Sequence, residues 1–304
     1  MRVAYFGTAV FAVPALRAVA DHVVLVVSQP DRPTGRGLQT QPSPVKLAAL
    51  EHGLPVETPE KCRTPEFVEF LRSLELDVLL VAAYGQILSV AVLESAHRGG
   101  INLHGSVLPH YRGAAPIQRA ILAGERQTGI TLIQMDKGMD SGDCIAIEHT
   151  PIGEDETYGE LQDRLAAIAA EMAGTWLPRI VAGDYPRVPQ DHDHATFAPK
   201  VLKEEAELRF ERAAPDEYNR FRAFTPAPGP FLSLPAGPMR IRQARLDSRE
   251  GEPGTLLALD PDPIVAFSVG SLRLIEVQPA GKRAMAGRDW VNGARLALGE
   301  RIPV

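Results

Sequence analysis

The chain has 304 residues, of which 45% are hydrophobic and 23% are charged, and its formal net charge is -6. These values are typical of a globular protein that is long enough for two domains, and they argue against a protein that coats nucleic acid over its whole surface. No apolar run approaches the roughly 18 residues that a membrane span needs, and the glycine, proline and arginine within the first twenty residues predict that no signal peptide is present.

Strand and helix patterns alternate through the first 180 residues. Segments that begin with Ser-Pro and Thr-Pro predict helices capped at Ser43 and Thr64, and the pair Thr157 and Glu160 predicts a capping box before a long helix. The apolar runs that predict buried strands are RVAYFG, VVLVVSQ, DVLLVAAYG, GGINLHG, ITLIQM and CIAIEH. This alternation predicts an α/β fold with a doubly wound, mostly parallel sheet covered on both faces.

The pattern changes after residue 184. Residues 185–206 are rich in Pro, Asp and His, which predicts a linker. Short strands broken by Pro and Gly follow, and they predict a small β-barrel or sandwich over residues 207–304. The sequence therefore predicts a first domain over residues 1–184 and a second, smaller domain after the linker.

Several familiar site motifs are absent from the sequence. The first strand is followed by FGTAVFA, with one glycine where a dinucleotide-binding loop needs three, and neither a P-loop nor a G-x-S-x-G motif occurs. Cys62 and Cys144 have no motif partners, which indicates a reducing cytoplasm. The DHDH run at 191–194 has no further ligands nearby, so we expect no metal site.

Two polar residues, Asn102 and His104, stand at the end of the strand GGINLHG. Because residues i and i+2 of a strand share a face, Ile101 and Leu103 should face the core while the amide and the imidazole point to the other side. Open α/β sheets bind their ligands at the carboxyl ends of strands. The alternative is a capped strand end with a solvated histidine, and the spacing alone does not decide between the two.

A second polar loop, MDKGMDSGD, follows the strand ITLIQM. Loops after neighbouring strands of a parallel sheet meet at one edge, so we expect Asp140 to approach His104. Such a set suits acyl transfer, because Asn102 can stabilise an oxyanion and His104 can donate a second hydrogen bond or move a proton. Asp140 can orient the imidazole and relay a proton, and no side-chain nucleophile is needed if the acceptor supplies an amine.

The stretches NLHGSVLPHYRGAAPIQRAI and MDKGMDSGD resemble the signature of the 10-formyltetrahydrofolate-dependent formyltransferases. TFAPKVLKEEAEL, RAFTPAPGPF and QPAGKRAMAGRDWVNG are similar to the branch of that family that formylates methionyl initiator tRNA for translation initiation. The resemblance implies that Asn102, His104 and Asp140 are catalytic and that 10-formyltetrahydrofolate is the formyl donor. It also implies a cytoplasmic enzyme whose C-terminal domain is an OB-like β-barrel that binds tRNA; we expect a monomer.

Two further sets of residues are expected to contact the substrates. By the same resemblance, the residues expected to contact the folate are Ser106, Val107, Leu108, Pro109, Tyr84 and Gly85. Among the residues expected to contact the tRNA, Arg36 follows from the resemblance. Arg240 and Arg242 share one strand face, and Lys282 and Arg283 lie close together in the sequence, so this spaced positive charge predicts phosphate contacts; the alternative is a solvated basic edge. The SVLP stretch also suits a tight turn, and Arg112 either holds the folate glutamate or pairs within its loop. The loop with Arg36 continues as GLQTQP, where the family pattern is lysine-rich.

Other functions stay open at this point. A sugar-nucleotide N-formyltransferase or a formyl-folate hydrolase would keep the three polar residues, although the Arg36 loop and the basic C-terminal segments argue against both. A purine-pathway formyltransferase would not need residues 205–304. A non-catalytic module that binds tRNA or folate would not need a carboxylate aimed at a histidine.

Overall fold

The computed structural model describes residues 1–34 and 39–303, which form two compact units. Unit 1 contains residues 1–116, 127–151 and 162–199, and unit 2 contains residues 117–126, 152–161 and 200–304. Most of the segment predicted as a linker, up to Pro199, is thus part of unit 1.

Unit 1 is built on a seven-stranded sheet. The strands of this unit are β1 (Val3–Gly7), β2 (Val23–Val27), β3 (Arg32–Thr34), β4 (Gln39–Gln41), β5 (Val56–Glu57), β6 (Val78–Ala82), β7 (Gly100–His104), β8 (Arg112–Gly113), β9 (Gln127–Gln134), β10 (Cys144–Pro151) and β11 (Phe197–Ala198). The order in the large sheet is β5-β2-β1-β6-β7-β9-β10. The five strands from β5 to β7 run parallel, while β9 is antiparallel to β7 and β10. The predicted mostly parallel sheet is therefore confirmed.

The described residues before 183 include six α-helices. They are α1 (Val13–Val19), α2 (Pro44–Glu51), α3 (Pro65–Ser73), α4 (Val90–Leu93), α5 (Pro116–Leu122) and α6 (Tyr158–Ala182). Side-chain caps begin α2, α3 and α4. Ser43 Oγ accepts from Lys46 N at 3.0 Å and Thr64 Oγ1 accepts from Phe67 N at 3.3 Å, so two orphan helix donors are satisfied. The predicted starts of α2 and α3 are confirmed.

Helix α6 has 25 residues and is, by length and composition alone, apolar enough to cross a membrane. Leu165, Ala169 and Met172 lie at helical spacing and are buried in the protein. A core helix meets the same criteria, and the buried stripe accounts for the apolar composition. At its start, the Glu160 carboxylate accepts from the N–H and the hydroxyl of Thr157, and these hydrogen bonds lower the pKa of Glu160.

Unit 2 contains an antiparallel sheet. Its remaining elements are α7 (Ala214–Ala223), β12 (Phe231–Leu234), β13 (Gly237–Asp247), β14 (Leu256–Ala258), β15 (Ile264–Ala266), β16 (Ser271–Gln278), β17 (Met285–Ala286) and α8 (Gly287–Ala294). The strand order is β12-β13-β16-β15-β14, with β17 on β16. Among the residues described, β12 and β14 do not pair with each other, so the antiparallel domain is confirmed and a closed barrel is not.

The two edge strands of this sheet are covered by other parts of the chain. Leu208 N donates to Phe231 O on β12, and Leu256 N on β14 donates to Glu300 O. Each edge strand thus has a backbone partner outside the sheet, which reduces the number of unpaired N–H and C=O groups on that edge without closing the sheet into a barrel.

Two glycines, one crowded and one with open space around it, allow a matched test of stability. A Cβ on Gly129 would lie 2.1 Å from Glu148 O across the β9–β10 pair, whereas a Cβ on Gly174 in α6 meets nothing within 4 Å. We expect Gly129→Ala to lower the free energy of unfolding by about 1–3 kcal/mol through overpacking. Gly174→Ala should raise it by up to about 1 kcal/mol, because alanine is the better helix former. Chemical denaturation measures both, and equal effects would contradict the close approach of β9 and β10.

Candidate active site

The polar pair at the end of β7 occupies the face that the alternation predicts. Ile101 and Leu103 are buried, and Asn102 is half-buried on the opposite face. His104 is only 5% exposed, so the interpretation as a solvated strand-end histidine is wrong. A buried imidazole needs hydrogen-bond partners for both ring nitrogens.

Asp140 lies on this face of the sheet, but the strand before it does not run parallel to β7 as we expected. Strand β9 is antiparallel to β7, with His104 opposite Thr131 and Ile101 opposite Gln134. The loop after β9 therefore starts at the amino end of β7, not at the carboxyl edge. It returns across the sheet face and places Asp140 beside Asn102 and His104. The expected proximity is present, and the expected reason for it is wrong.

The Asp140 carboxylate is held from three sides. Oδ1 accepts from Asn102 Nδ2 at 3.2 Å, and Oδ2 accepts from Gly113 N at 2.9 Å. Oδ2 also lies 3.5 Å from His104 Nδ1. The Asp140 side chain is 16% exposed, so these donors replace most of its water.

The partners of His104 fix its tautomer. Nε2 lies 3.0 Å from Tyr111 O, and because a carbonyl oxygen only accepts, Nε2 must carry a hydrogen. A neutral ring would then direct a bare Nδ1 lone pair at a carboxylate oxygen of Asp140. The contact is attractive only when one further proton lies on Nδ1 or on the carboxyl group. His104 and Asp140 thus form a pair that can hold and pass one proton.

Residues 111–113 hold both members of this pair. Tyr111 supplies the carbonyl to His104, and Gly113 supplies the N–H to Asp140. Tyr111, Gly113 and Asp140 all have positive φ, at 60°, 121° and 48°. A Cβ on Gly113 would lie 2.8 Å from Ala198 O, so this position requires glycine. Backbone outliers of this kind cluster at functional sites.

The stretch that resembles a folate-contacting loop is fixed from below by Thr131 of β9. Thr131 Oγ1 donates to Ser106 O at 2.7 Å and accepts from Leu108 N at 3.1 Å. Ser106 is fully buried and its hydroxyl donates to His110 O at 2.6 Å, so the side chain shapes the turn. Leu108 is buried, while Val107 and Pro109 are half-buried.

Tyr84 and Gly85 follow β6, the parallel neighbour of β7, so this loop and the one after His104 leave the sheet at the same edge. The Tyr84 ring is buried edge-on against Phe6, 5.2 Å between centroids, and burial raises the pKa of its hydroxyl. Tyr84 O accepts from Thr8 Oγ1 at 2.8 Å and from Gln29 Nε2 at 3.0 Å. The side chain of Tyr84 is thus part of the core, and Gly85 is exposed.

Arg112 pairs with residues far along the chain. Its guanidinium is 5% exposed and donates to Gln190 Oε1 at 2.6 and 3.0 Å and to His192 Nδ1 at 3.0 Å. Neither Gln190 nor Thr131 stands in a motif, so sequence analysis did not identify them. Both hold the backbone around the site, and a lone polar residue in a loop or strand carries no signal of that role.

The basic residues expected to contact tRNA are exposed on unit 2. Arg240 and Arg242 alternate with buried Met239 and Ile241 on β13, so both arginines face outward. Arg240 lies opposite Gln278, whose side-chain amide donates to Lys282 O, and this brings the turn with the exposed residues Lys282 and Arg283 beside β13. Arg36 lies outside the described residues.

The described residues show no group of three or more His, Cys, Asp or Glu side chains placed to hold a metal ion. In the DHDH run, Asp191 accepts from His194 Nδ1 at 2.8 Å. Cys62 and Cys144 are both free and buried, and burial raises the pKa of each thiol. The chemistry available at the sheet face is therefore that of an amide, an imidazole and a carboxylate.

Comparison with known proteins gives one consistent family. Residues 1–180 match the family model "Formyl transferase", and residues 200–295 match "Formyl transferase, C-terminal domain". The methionyl-tRNA formyltransferase of Sorangium cellulosum is 44% identical over 306 residues, covering 98% of each chain. That of Chromobacterium violaceum is 44% identical over 309 residues, covering 100% of each chain.

Solved structures share the fold at low identity. An N-formyltransferase from Helicobacter canadensis, in complex with folinic acid and dTDP-3-aminofucose, superposes with a TM-score of 0.69 at 18% identity. The superposition covers 91% of this chain and 98% of that one. HypX from Aquifex aeolicus, in complex with tetrahydrofolic acid, has a TM-score of 0.64 at 15% identity and covers 100% of this chain and 49% of its own.

The environment of His104 predicts its tautomer in solution. Because Nε2 faces the Tyr111 carbonyl, we expect the Nε2–H form whenever the ring is neutral. Nitrogen-15 NMR of histidine-labelled protein, with His104→Ala to assign the signal, measures this directly. A neutral ring protonated at Nδ1 alone would contradict the hydrogen bond to Tyr111.

Proposed function

Because this chain belongs to the formyltransferase family, and within it to the methionyl-tRNA formyltransferases, we propose that it transfers the formyl group of 10-formyltetrahydrofolate to the α-amine of methionyl initiator tRNA. The product serves translation initiation. The observation that supports the chemistry in this chain is the convergence of Asn102, His104 and Asp140 on one sheet face.

The amine attacks the formyl carbon directly. A free α-amine has a reference pKa near 8, and the neighbouring ester lowers it further, so neutral amine is available. Attack converts the formyl oxygen into an oxyanion. Asn102 uses one amide hydrogen for Asp140 and has a second for that oxyanion, which is the preorganised stabilisation that acyl transfer requires.

Two proton movements complete the transfer. The attacking nitrogen must lose a proton, and N10 of the folate must gain one as the bond from N10 to the formyl carbon breaks. In the proposed cycle the His104–Asp140 pair accepts the proton from the attacking nitrogen and donates a proton to N10. The pair ends each cycle as it began.

We assign the folate to the loops after β6 and β7. Ser106 and Leu108 are buried, so their role is to set the backbone, and the half-buried Val107 and Pro109 present the surface to the donor. Tyr84 packs inward, and the exposed Gly85 offers backbone groups beside it. The folate is held as a co-substrate and no metal takes part in the proposed reaction.

We assign the tRNA to the Arg36 loop and to the exposed basic residues of unit 2. Arg240, Arg242, Lys282 and Arg283 carry spaced positive charge suited to phosphates. The proposed functional division is a catalytic domain over residues 1–184, a connecting segment over 185–206 and an OB-like tRNA-binding domain over 207–304. The proposed working form is a cytoplasmic monomer.

Formyl transfer to a sugar nucleotide is the nearest alternative. Its support is the likeness to sugar N-formyltransferases at 18% identity, which establishes a shared fold alone. The 44% identity to methionyl-tRNA formyltransferases over nearly the whole chain favours the tRNA substrate.

A direct assay tests the proposed function. We expect the purified protein to formylate methionyl initiator tRNA with 10-formyltetrahydrofolate, with far less product on methionyl elongator tRNA, as read by the mass of formyl-methionine. Asn102→Ala should lower kcat by about 100- to 1000-fold through loss of an oxyanion donor, with KM little changed. Transfer to a sugar nucleotide or to water in place of tRNA would overturn the substrate, and an unchanged kcat for Asn102→Ala would overturn the role of that amide.

The basic face of unit 2 should govern the salt dependence of tRNA binding. Replacing Arg240 and Arg242 together with Gln should weaken binding and reduce the slope of log affinity against log salt by about one for each arginine that contacts a phosphate. The matched control is Arg72→Gln with Arg179→Gln, which removes the same charge from exposed positions on α3 and α6. Equal slopes for the two double variants would count against a tRNA surface on β13.

A further inference from the structure

The segment predicted as a linker carries a buried side chain that contacts the loop with Asp140. Gln190 lies in a stretch whose composition, VPQDHDH, predicts a linker. The side chain is nevertheless 7% exposed and makes four hydrogen bonds. Oε1 accepts twice from Arg112, and Nε2 donates to Asp140 O at 2.9 Å and to Gly142 O at 2.7 Å.

The direction of the Gln190 amide follows from its partners. A guanidinium only donates and a carbonyl only accepts, so the oxygen must face Arg112 and the nitrogen must face the two carbonyls. Every donor and acceptor position of the amide is then in use. The side chain is a bridge between β8 and the loop that carries Asp140.

The loop around Asp140 needs such a bridge. Asp140 has a φ of 48°, in the left-handed region, which costs an L-residue energy although aspartate tolerates it better than most, so contacts that hold this backbone help to keep the loop in place. Its carboxylate is fixed by Asn102 and Gly113, while its own carbonyl is fixed by Gln190. Gly113 and Arg112 are neighbours on β8, so side chain and backbone of Asp140 are tied to the same two residues.

The surrounding segment is itself attached at both ends. Val188 exchanges two backbone hydrogen bonds with Cys144, at 2.8 and 2.9 Å. Thr196 O accepts from Arg112 N at 2.9 Å, and β11 pairs with β8. The backbone on both sides of Gln190 is thus held in place, and this positions its side chain beside Asp140.

We propose that Gln190 is a positioning residue for the formyl transfer, holding the Asp140 loop so that the carboxylate faces Asn102 and His104. This inference rests on the proposed function. Gln190 itself touches no substrate; it acts through the backbone of Asp140 and Gly142. The connecting segment is on this view a structural part of the catalytic centre.

The substitution Gln190→Glu keeps the contact with Arg112 and removes the hydrogen bonds to Asp140 and Gly142. A carboxylate keeps the acceptor toward Arg112 and gives that buried guanidinium an anionic partner. It loses the donor and directs an oxygen at the carbonyls of Asp140 and Gly142, which pushes the loop away. We expect kcat to fall by up to about 100-fold, because displacement of a catalytic group by about 1 Å has that effect, and KM for both substrates to stay near that of the parent.

A second readout does not depend on activity. The Gly113 amide donates to the Asp140 carboxylate, so its hydrogen exchange should quicken in Gln190→Glu when the loop moves. The matched control is Asp191→Asn in the same segment, an exposed residue whose carboxylate accepts from Asp193 N and His194 Nδ1, and both readouts should stay at parent values. Gln190→Asn, which keeps the amide but shortens its reach, serves as the second variant and decides the question if Gln190→Glu does not fold.

The experiment distinguishes a failure of the positioning role of Gln190 from a failure of the proposed formyl transfer. A parent protein without formyl transfer would overturn the proposed function, and the exchange of Gly113 would still report whether Gln190 holds the loop. An active parent with unchanged kcat in the folded variant would overturn the positioning role. So would a lower kcat with unchanged Gly113 exchange, or a raised KM alone, since either would mean that Gln190 acts by another route.

Discussion

A carboxylate on a buried sheet face is stable only if protein donors replace the water that it loses, and the arrangement around Asp140 follows from that requirement. The amide of Asn102, the N–H of Gly113 and the ring of His104 each come from β7 or β8. An unpaired charge at this depth would be costly. The same contacts aim the carboxylate at the imidazole, so the interactions that make the charge tolerable also make the pair useful for proton transfer.

Much of the fold could be predicted because its signals are local. Alternation along β7 separates Asn102 and His104 from Ile101 and Leu103, and this depends only on the period of a strand. Ser43 and Thr64 cap their helices within three residues of themselves. The capping residues and the apolar runs together give the α/β order of the chain, and resemblance to a family then supplies the chemistry of the polar residues.

The features that could not be predicted depend on contacts between distant parts of the chain. The run ITLIQM predicts a buried strand in either direction, so nothing local shows that β9 is antiparallel to β7. Whether the C-terminal strands close into a barrel depends on which segments cover β12 and β14. Gln190 stands in a polar stretch typical of a linker, and its pairing with Arg112 and Asp140, distant in the sequence, is among the contacts that place the stretch in unit 1.

The fold depends differently on the proposed catalytic residues and on the proposed tRNA-contacting residues. Asn102, His104 and Asp140 are interlocked, and replacing any one of them leaves a buried polar group of the others without its partner. Arg240 and Arg242 instead alternate with Met239 and Ile241, whose buried side chains pack that part of β13 into the core. Exposed residues of this kind can change with little effect on folding.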